Sequence, residues 1–211
     1  MTNVIQLESL DKAPVQTVPF PYFKVEQSIY PEQVQAIIKS FPDISDGGSY
    51  NIDDVDLQEP FKSLITSIDT PEFRRIICEK FDVQVMDLPM MITLRGYSRQ
   101  KDGRIHTDSK TKVATILIYL NEAWPADTGK LRILRNGHDM NDYVDEVTPG
   151  PGSLVAFKVT DNCWHGYPAF DGKRQSIQIN FLTSAAAGNK HRFFHRLSAK
   201  LKRLISGRKS I

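Results

Sequence analysis

Residues 106–121 read HTDSKTKVATILIYLN, and from Lys112 onward the stretch is rich in residues that favour β-strands. Alternate side chains of a strand point to opposite faces. One face would carry Val113, Thr115, Leu117 and Tyr119, and the other would carry Ala114, Ile116, Ile118 and Leu120. Apolar residues on both faces predict a strand that is covered on both sides. The buried hydroxyl of Tyr119 would then need a hydrogen-bond partner, either a neighbouring carbonyl or a bound carboxylate.

A second alternating strand is predicted at residues 174–182, which read RQSIQINFL. Arg174, Ser176, Gln178 and Asn180 share one face, and apolar residues occupy the other. The polar face could lie in water, as in an ordinary surface strand. We interpret it instead as the wall of a cofactor cavity, because the guanidinium fork of Arg174 beside the Ser176 hydroxyl suits a bidentate grip on a carboxylate.

Candidate metal ligands precede each of these two strands in the sequence. His106 and Asp108 are two residues apart, so on a strand they would point to the same side, and His165 lies nine residues before Arg174. Two imidazoles and one carboxylate on one face of an ion are typical of mononuclear Fe(II) centres, which leave the opposite face open for a co-substrate and O2. An HxD…H pattern alone occurs by chance in many chains, so the surrounding motifs carry the weight.

Those motifs resemble the double-stranded β-helix core of Fe(II)/2-oxoglutarate-dependent dioxygenases, over about Met91 to Thr183. The resemblance is strongest to the prolyl-hydroxylase branch, which includes the oxygen-sensing enzymes and small bacterial oxygenases. Its pieces are His106-Thr-Asp108, Ile118-Tyr-Leu-Asn121 with Trp124, Gly129-Lys-Leu-Arg-Ile133, Pro149-Gly-Pro-Gly-Ser153, Trp164-His165 and Arg174 with its strand. Their order and spacing are far more specific than the metal pattern alone.

The resemblance implies a role for each candidate residue. His106, Asp108 and His165 would bind Fe(II); Arg174 would pair with the distal carboxylate of 2-oxoglutarate, helped by Tyr119 and Ser176; Leu131 would line the pocket. Tyr97 is the approximate counterpart of a pocket tyrosine, and Asn180 stands where the oxygen-sensing enzymes have a large aromatic residue. The implied reaction uses O2 to hydroxylate an unactivated C–H bond and releases succinate and CO2, with ascorbate as a stimulant. Retention of Asp108 argues against the related halogenases.

The 211 residues, 40% of them hydrophobic, are enough for one domain with a substantial core. We expect an α+β, mainly β fold: a flexible segment at 1–20, a helical part at 21–87 and a jelly-roll, cupin-like core at 88–187. Helices are predicted from Pro31 to Ser40, from Leu57 to Ile68, and from a Thr70 cap through Pro71 to Phe81. The chain shows no signal peptide and no apolar run long enough for a membrane span, and two cysteines suit a reducing cytoplasm.

The last segment, residues 188–211, differs from the rest in charge. It holds eight Lys and Arg residues, no acidic residue, and an apolar stripe at helical spacing. We expect a basic amphipathic helix that packs on the domain or on a second subunit, or that contacts an anionic surface. Nucleic-acid binding is not expected, because nothing else in the chain resembles a nucleic-acid-binding module.

The leading hypothesis is therefore a 2-oxoglutarate-dependent hydroxylase. Its substrate could be a small molecule such as a free amino acid, a prolyl residue of a peptide, or a sugar of a glycan or polysaccharide precursor. One alternative is a non-oxidative metal-dependent enzyme on a cupin-like barrel, which would leave the carboxylate clamp without a ligand. The other is a non-catalytic binding module that retains the site without using it.

Overall fold

The computed structural model describes residues 3–186, and the helix expected at 188–211 lies outside this part of the chain. The first half contains α1 (Leu7–Lys12), β1 (Tyr22–Val25), α2 (Pro31–Lys39), β2 (Tyr50–Asn51), a short 3-10 helix (Ile52–Asp54), α3 (Phe61–Ile68) and α4 (Pro71–Phe81). From Met90 to Leu182 the elements are strands: β3 (Met90–Ser98), β4 (Lys112–Tyr119), β5 (Leu131–Leu134), β6 (Tyr143–Val147), β7 (Leu154–Lys158), β8 (His165–Gly166) and β9 (Gly172–Leu182). Across residues 3–186, no helix is both long enough and apolar enough to cross a bilayer.

The strands form two antiparallel sheets, as the expected mainly β fold requires. The large sheet has the order β1-β7-β4-β9-β3-β2, and the small sheet has the order β6-β5-β8. One face of the large sheet packs on the helices, where Ile116, Ile118, Ile177 and Ile179 are fully buried. The opposite face, which includes Tyr119, packs against residues of the small sheet. The central strands are therefore covered on both sides, as their apolar alternation predicts.

The helical layer follows from local sequence signals. The Thr70 hydroxyl accepts a hydrogen bond from the Phe73 backbone N–H at 3.3 Å, and Pro71 occupies the first helical position of α4. α3 begins at Phe61, four residues later than predicted, because Pro60 occupies its N-cap position. A proline is accommodated at or before the first helical position, but further inside a helix it clashes with the preceding turn, so a helix that already began at Leu57 is disfavoured.

The amino-terminal residues differ from the expectation of a flexible segment. Val4, Ile5 and Leu10 are buried in the helical core, and Ile5 forms an isolated β-bridge with Ile29. The backbone N–H of Val4 also donates to the Ser67 hydroxyl at 3.1 Å. These apolar side chains cover the helical layer, and their burial offsets the entropy lost when the segment becomes ordered.

Candidate active site

The two histidines and the aspartate predicted as metal ligands lie together. His106 forms an isolated antiparallel bridge with His165, and their backbone N–H and C=O groups exchange two hydrogen bonds of 3.0 Å. One potential ligand atom from each of His106, Asp108 and His165 lies within 4.8 Å of the others. The strand expected through His106 and Asp108 is reduced to this single bridge. The position of His106 is therefore fixed by its pairing with His165 and not by a regular strand.

Backbone carbonyls set the proton positions of both imidazoles. Nδ1 of His106 lies 2.9 Å from the Arg104 carbonyl, and Nδ1 of His165 lies 2.8 Å from the Cys163 carbonyl. A carbonyl can only accept, so each Nδ1 carries the hydrogen and each neutral ring keeps a lone pair on Nε2 for a metal. Burial, reinforced by the neighbouring His106, lowers the pKa of His165 to about 4. That side chain is therefore neutral near pH 7, the state in which an imidazole binds a metal.

Asp108 is held by two side chains of the adjacent strand. The Lys112 ammonium donates to Oδ1 at 2.7 Å, and the Thr115 hydroxyl donates to Oδ2 at 2.5 Å. Burial opposes ionisation of this carboxyl, but the charge of Lys112 and the hydrogen bonds outweigh it and lower the pKa of Asp108. The cluster thus offers two imidazole nitrogen donors and one charged carboxylate, a set that fits Fe(II).

The partners of Asp108 were not identified from the sequence. The sequence pattern predicts Lys112 only as the start of a strand, although its position four residues after Asp108 is a usable signal for an ion pair. Asn180 lies behind this network, with Oδ1 placed 3.0 Å from Oγ1 of Thr115 and with Nδ2 unpaired. The same Oδ1 accepts a hydrogen bond of 3.2 Å from Nε2 of Gln178, which links the polar face of β9 to the partners of Asp108.

Arg174 is a buried cation on β9, with 3% of its surface exposed. Its Nε donates to the Gly129 carbonyl at 2.9 Å, and its Nη2 donates to the Tyr119 hydroxyl at 3.4 Å. The guanidinium carbon also lies 5.0 Å from the ring centre of Tyr119 and 4.0 Å from that of Tyr167. Within residues 3–186 no carboxylate pairs with it. A buried charge without a counter-ion is costly, so the site fits a carboxylate ligand.

A cavity of about 110 Å³ connects the histidines with Arg174. Of the residues predicted to contact cofactor, the cavity is lined by His106, His165, Tyr119, Leu131, Arg174 and Ser176. Burial raises the pKa of Tyr119, so its hydroxyl stays protonated and can donate to a carboxylate. Asp108 and Asn180 lie behind this wall rather than in it.

Tyr97 does not contribute to the cavity. Its hydroxyl donates to Asp171 at 2.5 Å outside the pocket, and Arg95 faces the cavity instead. The pairing of β3 with β9 shifts between Arg95 and Tyr97, and such a bulge re-aims the side chains on either side of it. The prediction of Tyr97 as a cofactor-binding residue is therefore corrected. Other cavity residues missed from the sequence are Ser49, Thr93 and Tyr167.

Comparisons with known proteins agree with this geometry. Residues 92–182 match the family model of the 2OG-Fe(II) oxygenase superfamily, a span that contains the metal cluster, Leu131 and Arg174. No curated protein matches the chain.

Among solved structures, a Pseudomonas putida prolyl-4-hydroxylase is similar, with a TM-score of 0.54 and 18% identity, over 83% of this chain and 91% of that one. A viral collagen prolyl hydroxylase of Paramecium bursaria Chlorella virus-1, solved as a 2-oxoglutarate complex, gives a TM-score of 0.53 and 13% identity, over 77% of this chain and 96% of that one. At these identities the two structures establish a shared jelly-roll fold. The family match adds the chemistry to that fold: residues 92–182 are similar to the 2OG-Fe(II) oxygenase superfamily, and together with the cluster of His106, Asp108 and His165 this supports a dioxygenase that depends on Fe(II), 2-oxoglutarate and O2.

Proposed function

We propose that the protein hydroxylates an unactivated C–H bond of a small polar substrate, either an amino-acid-like or prolyl compound or a sugar of a glycan precursor. The strongest support is the shared cavity, in which two of the candidate metal ligands face the same space as a buried arginine that has no carboxylate partner among residues 3–186. When bound, Fe(II) and 2-oxoglutarate would use O2 to couple decarboxylation of the cofactor to succinate and CO2 with hydroxylation of a substrate C–H bond, one oxygen atom going to succinate and the other to the product.

Each side chain then has a defined task. His106, Asp108 and His165 would hold the iron, and Lys112 with Thr115 would keep the Asp108 carboxylate charged and oriented. Second-sphere contacts of this kind set both the orientation and the basicity of a metal ligand.

At the other end of the cavity, Arg174 would bind the distal carboxylate of 2-oxoglutarate through the guanidinium N–H groups that Gly129 and Tyr119 leave free. The hydroxyls of Tyr119 and Ser176 would add hydrogen bonds, and Leu131 would provide an apolar wall for the methylene carbons. A carboxylate would also supply the counter-ion that the buried guanidinium lacks.

The choice of substrate is supported more weakly. The two similar solved structures are named as prolyl hydroxylases, which makes prolyl compounds the first class to test. The small cavity and its polar lining by Ser49, Thr93 and Gln178 favour a compact substrate with several hydrogen-bonding groups.

The test is an anaerobic titration of the metal-free protein with Fe(II) and then 2-oxoglutarate, watching for the weak visible metal-to-ligand charge-transfer band. We expect the band in the wild type and its loss in Asp108→Ala; when O2 is then admitted, the wild type should form succinate and Asp108→Ala should not. Asp161→Ala is the matched control, because Asp161 is an exposed carboxylate paired with Lys110 on the surface. Iron binding without a band in the wild type would favour the non-oxidative metal enzyme.

A further inference from the structure

The cavity contains a second guanidinium group, that of Arg95. Arg95 on β3 pairs directly with Ser176 on β9, so the two side chains share the face that also carries Arg174. The Arg95 side chain is 28% exposed, which places it towards the open part of the cavity, whereas Arg174 is buried at 3%. Two arginines in one small cavity repel each other unless anions separate them.

Arg95 is held only by long contacts. Its Nη1 lies 3.4 Å from the Tyr167 hydroxyl and 3.6 Å from Oδ2 of Asp102, and its Nη2 lies 3.3 Å from the Ser49 hydroxyl. Charge-assisted hydrogen bonds are normally about 2.7–2.9 Å long, so none of these contacts engages the fork fully.

The only carboxylate near Arg95 among the described ion pairs is already engaged. Asp102 accepts hydrogen bonds from Arg99 at 3.0 Å and 3.2 Å and a third, of 3.0 Å, from the Arg99 backbone N–H. One carboxylate thus serves two guanidinium groups, and the closer one is Arg99. Arg95 therefore has only a shared and distant counter-ion and keeps guanidinium N–H groups that can donate to a ligand.

Tyr167 lines the cavity and contacts both arginines. Its ring stacks on Arg174, while its hydroxyl contacts Arg95 and lies 3.0 Å from the Ser98 hydroxyl. Arg95 lies opposite Ser176 rather than Arg174 in the sheet, so a carboxylate bound at Arg174 would not in itself provide a counter-ion for Arg95. Iron and 2-oxoglutarate carry opposite and equal charges, so loading them leaves the positive excess of the cavity unchanged.

We infer that Arg95, with the hydroxyls of Ser49 and Tyr167, binds a carboxylate of the prime substrate. This inference rests on the proposed function and narrows it to small acids, such as free amino acids or uronic acids, rather than residues inside a peptide or neutral sugars. The planar fork and the single surplus charge match a carboxylate. The hydroxyl groups on either side supply further donors.

The experiment uses the anaerobic Fe(II)- and 2-oxoglutarate-loaded protein and follows the charge-transfer band as matched probes are added. The probes are L-proline against L-prolinamide, and D-glucuronate against D-glucose. In the wild type, at least one acid should bind about tenfold or more tightly than its neutral partner, as expected for a charge-assisted contact. The pair that responds distinguishes an amino-acid from a uronic-acid substrate.

Arg95→Gln should reduce this acid preference to about twofold or less, and Arg95→Lys, which keeps the charge without the fork, should give an intermediate value. Lys101→Gln is the control, because Lys101 is an exposed cation of the neighbouring loop that does not line the cavity. Thermal melting establishes that each variant is folded.

Three results would overturn the inference and leave the proposed function standing. The acid preference could persist in Arg95→Gln, the wild type could bind no acid of the panel, or Arg95→Gln could lose the 2-oxoglutarate band before any probe is added, which would assign Arg95 to the cofactor. Absence of the band in the iron-loaded wild type would instead refute the proposed function and remove the basis of the inference.

Discussion

Replacing Arg174 with glutamine should separate cofactor binding from metal binding. Two of the five guanidinium N–H donors are used by Gly129 and Tyr119, which leaves donors for a bidentate grip on the cofactor. At about 1.5 kcal/mol for each of two hydrogen bonds to a charged group, the loss is about 3 kcal/mol. The Kd for 2-oxoglutarate should therefore rise about 100-fold or more. The affinity for metal should change little, because no metal ligand contacts Arg174.

The same substitution should not destabilise the cofactor-free protein. It removes a buried charge that has no carboxylate partner in the described structure, so Tm should stay the same or rise. Calorimetry with Mn(II) and then 2-oxoglutarate measures the two affinities separately, and thermal melting without ligands measures stability. Arg174→Lys is the informative companion, since it keeps the charge but cannot reproduce the fork. Equal losses of metal and cofactor affinity, accompanied by a lower Tm, would refute the assignment of Arg174 as a clamp.

Three further perturbations test the surroundings of the cluster. Because the pKa of His165 is lowered to about 4 in the folded protein, the unfolded chain binds its proton first on acidification. The metal-free protein should therefore lose up to about 3 kcal/mol as the pH falls from about 6.5 to 4. Urea unfolding at several pH values should show a smaller pH dependence in His165→Gln, and equal slopes would exclude this linkage. Gly129→Ala should lower Tm by several degrees, because φ is +77° and the added Cβ would lie 2.7 Å from a neighbouring indole ring; Gly150→Ala, where a Cβ meets nothing within 4 Å, should not. Thr115→Val removes the 2.5 Å hydrogen bond to Asp108 while conserving shape, so Fe(II) affinity measured by calorimetry should fall about tenfold; an unchanged affinity would mean that the hydroxyl does not orient the carboxylate.

Local periodicity predicted the elements that build the site. The alternation of residues 112–119 and 174–182 reappears as β4 and β9, and Thr70 with Pro71 begins α4 as expected. These signals lie within a few residues of one another along the chain, so they can be recognised without knowledge of the tertiary structure.

The remaining features depend on register and on long-range contacts. The shift between Arg95 and Tyr97 exchanges which side chain enters the cavity, and no pattern within that strand indicates it. Tyr167 reaches the site from the loop after β8. It contacts Arg174, which lies 7 positions later in the chain, and Arg95, which lies more than 70 positions earlier. Such contacts exist only after the sheets have packed together.

Because the central strands are buried on both sides, residues that maintain stability and residues that determine substrate recognition alternate along the same strand. On β3 and β9, Ile92, Leu94, Ile177 and Ile179 pack on the helical layer, while Thr93, Arg95 and Gln178 line the cavity. Changes at the first set would lower stability through lost burial, whereas polar exchanges at the second set would chiefly alter recognition. Substrate preference can therefore diverge by substitution at every other residue of these strands, while the intervening residues preserve the scaffold that holds the iron ligands in place.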